Sequence, residues 1–296
     1  MARAAFAPAK LNLFLHVGAS GADGYHPICS LMAFADVGDR VSIFDADALS
    51  LRVAGPFAGD LAGEGDNLVL RAARALIAET RRPMAPVGLG LDKRLPVASG
   101  LGGGSSDAGA ALRLLREMLE LPLSNDRLEA VAASLGADGA ACLWGVPAIA
   151  QGRGERLSAA PGLPPLDAVL VNPRVAVSTA AVYLRFDAAG RFGDVTPPAA
   201  PDAFEDAVEL AAWLAVQRND LEASAIALAP EVGTVLETLA NEAETLLARV
   251  SGSGGTCFAL CASDIEAESL AERLEAMAPA WWVQRCRLGG PWPDPA

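Results

Sequence analysis

Positive charge is scarce in this chain. Its 23 lysines and arginines face 36 aspartates and glutamates, a formal net charge of −13 over 296 residues. That balance excludes the basic face which nonspecific nucleic-acid binding requires. Histidine occurs only twice, and five cysteines are scattered at positions 29, 142, 257, 261 and 286. Cys257 and Cys261 are four apart, but no second pair and no nearby histidine completes a zinc site, so reduced thiols in a cytoplasmic protein are expected. No apolar run reaches the ~18 residues that a spanning helix needs. The apolar start "APAKLNLFLHV" is interrupted by Lys10, Asn12 and His16 with period two, which is strand behaviour and not that of a signal peptide. Neither a membrane nor a nucleic acid is expected as a partner.

The chain has ample core-forming residues, 52% hydrophobic against 20% charged. Its length suits two domains of ordinary size. A cluster of prolines and glycines at "LSAAPGLPPLD" (157 to 167) marks the expected boundary, with domains over 1–157 and 158–296. Strands mix with helices without regular βαβ alternation, which predicts an α+β fold.

In the first strand, Leu11, Leu13, Leu15 and Val17 take one face and Lys10, Asn12, Phe14 and His16 the other, a half-buried pattern. Asp23-Gly24 predicts a turn, and "ICSLMAFADV", "DRVSIFDA" and "LSLRVAG" read as further strands. Asp66 is the expected N-cap of a helix over 67 to 79. Asn125 or Ser124 caps a later helix, which Gly136 is placed to stop in a left-handed conformation. In the second half, helical patterns cover 205 to 228 and 231 to 247, and "GGPWPDPA" reads as a loose tail.

The most informative stretch is "PVASGLGGGSSDAGAALRLL", Pro96 to Leu115, where a strand pattern runs into a glycine loop and then an amphipathic helix. A P-loop is excluded because no lysine follows the glycines. The dinucleotide fingerprint is excluded because Ser105 stands where its third glycine belongs. What remains is a loop whose backbone comes close to a phosphate at a helix N-terminus, with Gly102, Gly103 and Gly104 clearing space. Ser105 and Ser106 add hydroxyls for a phosphate oxygen or magnesium, and Ser106 is also a candidate cap. An acidic chain binds a phosphorylated ligand in this way, through amides and a few placed cations.

"PVASGLGGGSSDAGAA" resembles the second motif of the GHMP kinase superfamily, "APAKLNLFL" its first and "VSGSGGTCFAL" (250 to 260) its third; together they span nearly the whole chain. Further segments, "ADGYHPICSLM", "SLGADGAACLWG" and "NDLEASA", resemble those members that act on a cytidine-diphosphate-linked polyol. The resemblance implies a two-domain GHMP kinase architecture: a ribosomal S5 domain 2-like N-terminal domain and a ferredoxin-like C-terminal domain, with the active site between them. It implies ATP and Mg²⁺ as cofactors and a monomer or homodimer acting on a small molecule. Pro96, Gly100, Leu101, Gly102, Gly103, Gly104, Ser105 and Ser106 would hold the nucleotide. Asp138 would be the general base, with Lys10 beside it. Asn12, Tyr25, His26 and Tyr183 would bind the acceptor, the two tyrosines sandwiching its cytosine. Two departures stand out, "GAACLW" after Asp138 and alanines around Tyr183. Lys10 and Lys93 are the only lysines; Lys93 is expected as an exposed charge. The rivals are another small-alcohol kinase of the superfamily, of homoserine or mevalonate type, and a catalytically silent binding protein.

Overall fold

The computed structural model describes residues 4–62, 65–80 and 86–294. Its backbone is one ten-stranded sheet whose N-terminal half is organised by two long strands, β1 (Ala4–Val17) and β2 (Ile28–Phe44), paired antiparallel along their lengths. The other edge of β2 is shared by three partners in turn: β5 (Ala148–Gly152) along Ile28 to Met32, β10 (Trp282–Gly289) at Phe34 and Ala35, and β4 (Gly88–Asp92) along Arg40 to Phe44. β3 (Ser50–Ala54) lies parallel to β4, and β6 (Arg156–Ala159) closes a hairpin with β5.

β1 is buried on both faces rather than one, packed against the helix Gly103–Met118 and bonded to the segments at residues 218–220 and Ser251, and its register is irregular. The pairing shifts between Pro8 and Lys10 and again between Asn12 and Phe14. Such bulges re-aim side chains locally. Lys10 and Asn12 keep their common face, while Phe14 joins Leu11 and Leu13 in a core cluster and is fully buried. Helix α2 (Gly103–Met118) packs beside β1 and the neighbouring α1 (Leu68–Thr80), α3 (Asn125–Leu135) and α4 (Gly139–Trp144). Its Leu112 and Leu115 are fully buried in a second core cluster, with Val69, Ala72 and Leu76 of α1, each stabilising by ~1.5–3 kcal/mol.

In the second half, β7 (Leu166–Asn172), β8 (Leu247–Val250), β9 (Cys257–Cys261) and β10 run in the spatial order β10-β7-β9-β8, all antiparallel. Helices α5 (Thr179–Ala189), α6 (Ala207–Ala215), α7 (Glu222–Leu228) and α8 (Pro230–Ala240) fall between β7 and β8, and α9 (Asp264–Met277) between β9 and β10. This is the βαββαβ arrangement of a ferredoxin-like unit. Among the described residues, no helix is long and apolar enough to cross a membrane.

Several sequence expectations shift. Asn67, not Asp66, accepts from the Val69 amide at 2.9 Å and opens α1; Asp66 pairs on the surface with Arg74. Ser124 caps α3 through the Arg127 amide, and Gly136 follows in an extended conformation, φ 170°, so no left-handed stop occurs there. The expected helix over 205 to 228 is interrupted, because residues 218 to 220 run beside Leu15 and bond to its N–H and C=O. The helix expected over 231 to 247 ends at Ala240, and Leu247 already begins β8. The C-terminal segment is docked, not loose: Trp292 donates its Nε1 proton to the Phe34 carbonyl at 2.9 Å, and Asp294 accepts from the Phe6 amide. The last two residues lie outside the described ones.

Candidate active site

The connection from β4 to α2 is held by its backbone. Its Ser99 carbonyl accepts from the Thr256 amide at 2.9 Å, and its Leu101 carbonyl accepts from the Lys10 amide at 2.8 Å. Gly100 and Gly102 adopt φ of +78° and +62°, a region that glycine enters without strain. A β-carbon on Gly100 would stand 2.3 Å from the Ser251 carbonyl oxygen, so here glycine is required for close approach to the β8–β9 loop. Gly102 precedes the first residue of α2, and the first main-chain bond of the helix is from Ser106 N–H to Gly102. The amides of Gly103, Gly104 and Ser105 therefore have no partner within the helix, and they form its positive end.

That end opens into a cleft of about 450 Å³. Lys10, Asn12, Pro96, Gly100, Gly102, Gly103, Gly104, Ser105, Asp138 and Tyr183 all line it. Leu101, Ser106, Tyr25 and His26 do not. Leu101 is fully buried in the core, and the Ser106 hydroxyl is buried without a hydrogen bond to a protein nitrogen or oxygen.

Lys10 is buried, and its ammonium reaches Asn12 Oδ1 at 2.6 Å and Asp138 Oδ2 at 3.3 Å. Asn12 in turn donates to Ser30 Oγ at 2.7 Å, and Ser30 donates to the Phe14 carbonyl. The chain Lys10–Asn12–Ser30 is thus anchored on the bulged part of β1. Asp138 precedes α4 but makes no side-chain cap there, which leaves its carboxylate, about 30% exposed, for Lys10 and the cleft. The β8–β9 loop covers this pair from the second half. Ser251 Oγ donates to the Gly100 carbonyl, and Asn219 Nδ2 donates to the carbonyls of Val250 and Gly252.

The aromatic group divides. His26 and Tyr183 lie with ring centroids 5.1 Å apart, and His26 Nδ1 is 2.8 Å from the Gly18 carbonyl and Nε2 3.2 Å from Asp187. Burial, with the Asp138 charge adding to it, pushes the Tyr183 phenol up to about 12, so it stays neutral. Tyr25 is 56% exposed, and the Arg153 guanidinium sits 4.1 Å above its ring. No Tyr25–Tyr183 ring contact is formed.

Lys93 overturns its expectation. It is buried and donates to both Asp39 and Asp107, at 2.5 and 2.9 Å. Asp39 also accepts from the amides of Arg94 and Leu95, which pins the start of the glycine loop. Burial would lower the Lys93 pKa, but the Asp107 and Asp39 carboxylates outweigh it and hold it above its ordinary value. Burial, and then the Asp39 charge, push Asp107 up to about 8 against the pull of Lys93. Asp107, a candidate from its place in "SSDAG", lines the cleft, and so do Lys93, Asn67 and Arg153, to which the sequence gives no part in it. Their common signal is polarity beside the glycine loop or a turn, too weak to separate them from surface residues.

The glycine cradle fits a polyphosphate. Among the described residues, no cluster of three or more His, Cys, Asp or Glu side chains suits a metal ion. A magnesium ion held chiefly by nucleotide phosphates and water, with the Ser105 hydroxyl on offer, is compatible with this donor set.

Residues 67–146 match the family described as GHMP kinases N terminal domain, and residues 200–280 match GHMP kinases C terminal. A protein of Caulobacter sp. (strain K31) named 4-diphosphocytidyl-2-C-methyl-D-erythritol kinase is 63% identical over 288 residues, 97% of this chain and 98% of that protein. A protein of the same name from Cereibacter sphaeroides is 48% identical over 97% of this chain and 99% of its own length. A crystal structure of 4-(cytidine 5'-diphospho)-2C-methyl-D-erythritol kinase superposes with a TM-score of 0.76 at 32% identity, covering 98% of this chain and 100% of that one. Homoserine kinase from Cytophaga hutchinsonii superposes with a TM-score of 0.69 at 19% identity, over 97% and 95% of the two chains, a likeness of fold alone.

Proposed function

Because the chain belongs to the GHMP kinases, small-molecule kinases that use ATP, we propose that it phosphorylates the 2-position hydroxyl of 4-diphosphocytidyl-2-C-methyl-D-erythritol, a step of the methylerythritol phosphate route to isoprenoid precursors. The observation that carries this reading is the buried Lys10 ammonium, 3.3 Å from the Asp138 carboxylate, in the same cleft as the glycine loop. Phosphoryl transfer demands chiefly positioning and charge stabilisation. The amides of Gly103, Gly104 and Ser105 bind the β- and γ-phosphates at the positive end of α2. Magnesium, when bound with ATP, neutralises charge on those phosphates, and Ser105 is the side chain nearest in sequence to offer it a hydroxyl. Asp138 takes the proton of the acceptor hydroxyl as its oxygen bonds to the γ-phosphorus and the bond from that phosphorus to ADP breaks. Lys10 orients Asp138 and offsets negative charge as it develops, and Asn12 offers both a donor and an acceptor to the polyol.

His26 and Tyr183 form one wall for the cytosine, and Tyr25 closes on it from the exposed side. Binding energy from this distant end aligns the hydroxyl with the phosphate. The chain divides in this reading into units over 1–157 and 158–296, with the cleft between them.

The test is a coupled ADP-release assay with ATP, magnesium and the cytidylated methylerythritol, run beside homoserine and mevalonate. Turnover is expected only with the first. Asp138→Asn should lower kcat by about 10²–10⁴-fold while ATP affinity stays within a few-fold. Normal turnover in that variant would remove the proposed base.

A further inference from the structure

Three cationic side chains line the cleft among the described residues: Lys10, Lys93 and Arg153. Two of them already hold carboxylates inside the protein. Lys10 holds Asn12 and Asp138, and Lys93 is enclosed by Asp39 and Asp107. Arg153 differs. Its one carboxylate partner is Asp23, at 2.6 Å, and both side chains are half exposed. An ion pair so open to water is weak and easily exchanged for a better anion.

Arg153 is also fixed at a particular place by the β5–β6 turn. Gly152 and Gly154 take φ of +71° and +122°, and the Arg153 amide donates to Glu155 Oε2. The turn is seated directly on the segment that carries the proposed base: a β-carbon on Gly154 would lie 3.0 Å from the Ala137 carbonyl oxygen. On its other side the Arg153 guanidinium reaches over Tyr25. Arg153 therefore stands between Asp138, where the hydroxyl reacts, and Tyr25, where the base is bound. The substrate has the same order of parts, with its anionic diphosphate between nucleoside and polyol.

From this order, and resting on the function proposed above, we infer that Arg153 is the counter-ion of the substrate's diphosphate, exchanging Asp23 for phosphate oxygens when the substrate binds. Guanidinium is suited to this, because its planar fork matches phosphate oxygens two at a time. Asp23 then serves to hold the guanidinium near the cleft before the substrate arrives. The role is one of positioning and specificity: Arg153 selects a nucleoside diphosphate conjugate over an uncharged polyol.

The experiment separates charge recognition from support of the Tyr25 ring by comparing two ligands, cytidine and cytidine 5'-diphosphate, by calorimetric titration at fixed salt. The wild-type chain is expected to prefer the diphosphate by about tenfold or more, as a charged hydrogen-bonded pair supplies. Arg153→Ala and Arg153→Gln should bring the two ligands to near parity by weakening the diphosphate alone, while Arg153→Lys keeps a preference. In turnover, Arg153→Ala should raise the KM for the cytidylated substrate and leave that for ATP nearly unmoved. A diphosphate preference that survives in Arg153→Ala would overturn the inference. So would equal weakening of both ligands, since that is the signature of a residue that only props the ring. A wild-type chain that binds neither ligand and does not phosphorylate the cytidylated polyol would overturn the proposed function, and this inference with it.

Discussion

Asp107→Asn should make the protein more resistant to alkaline pH. The wild-type cluster sets two carboxylates against the single Lys93 ammonium in a fully buried place. Asp107 Oδ2 accepts from Lys93, but Asp107 Oδ1 is buried without any hydrogen-bond partner. Its carboxyl, pushed up to about 8 in the folded chain chiefly by burial and by the Asp39 charge, ionises near its ordinary value of 3.8 when unfolded. Between those two values the folded state holds a proton that the unfolded state has lost. Stability from this group therefore falls as pH rises from about 4 and levels off above about 8. The limiting slope is about 1.4 kcal/mol per pH unit, so roughly 2.7 kcal/mol is lost between pH 6 and pH 9. Asparagine can still accept from Lys93 but does not ionise, and Lys93 keeps Asp39 as its partner. Thermal unfolding of both proteins followed from pH 6 to pH 9 should show a widening gap, with the variant about 5 °C ahead at the alkaline end. Parallel curves across that range would refute the reasoning, because they would mean that Asp107 carries the same charge in both states.

Two further substitutions probe the cleft. Tyr25→Ala should raise the KM for the cytidylated substrate by about tenfold, the scale of one base–aromatic stack, with little change for ATP and none in melting temperature, since the ring is largely exposed. Equal effects on both substrates would count against stacking. Gly100→Ala places a β-carbon 2.3 and 2.7 Å from the carbonyl oxygens of Ser251 and Gly254 at a φ of +78°. It should destabilise the protein by about 1–3 kcal/mol and depress kcat by parting the two glycine loops, which unfolding and rate measurements together would check.

What could be read from the sequence follows a physical division. The glycine run before α2, the pair Lys10 and Asn12 two apart on a strand, and a cap at Ser124 or Asn125 depend on neighbours in the chain, and each was legible. Lys93 was not, because what buries it comes from afar: Asp39 is 54 residues away and Asp107 is 14. A lysine in "LDKRLP" carries no local sign of either carboxylate. The bulge after Asn12 was equally hidden, since strict alternation assigned Phe14 to the polar face although its size and apolarity belong in the core. The tail was misread for the opposite reason. Its prolines and glycines have the composition of a loose end, yet one indole proton on the Phe34 carbonyl and one carboxylate on the Phe6 amide hold it.

The charge balance belongs to the same division. A net charge of −13 is ill suited to polyphosphate ligands until the cations are located. Both lysines lie buried beside the glycine loop, Lys10 paired with Asp138 and Lys93 with Asp39 and Asp107. In the proposed function the attraction is shared with groups that formal charge does not count, the free amides at the start of α2, and with Arg153. A phosphate loop without a lysine and a chain with two lysines are thus consistent features. The amides that start α2 carry no formal charge, so composition cannot reveal them, and the turn at Gly100 to Gly102 leads into them at the edge of the cleft.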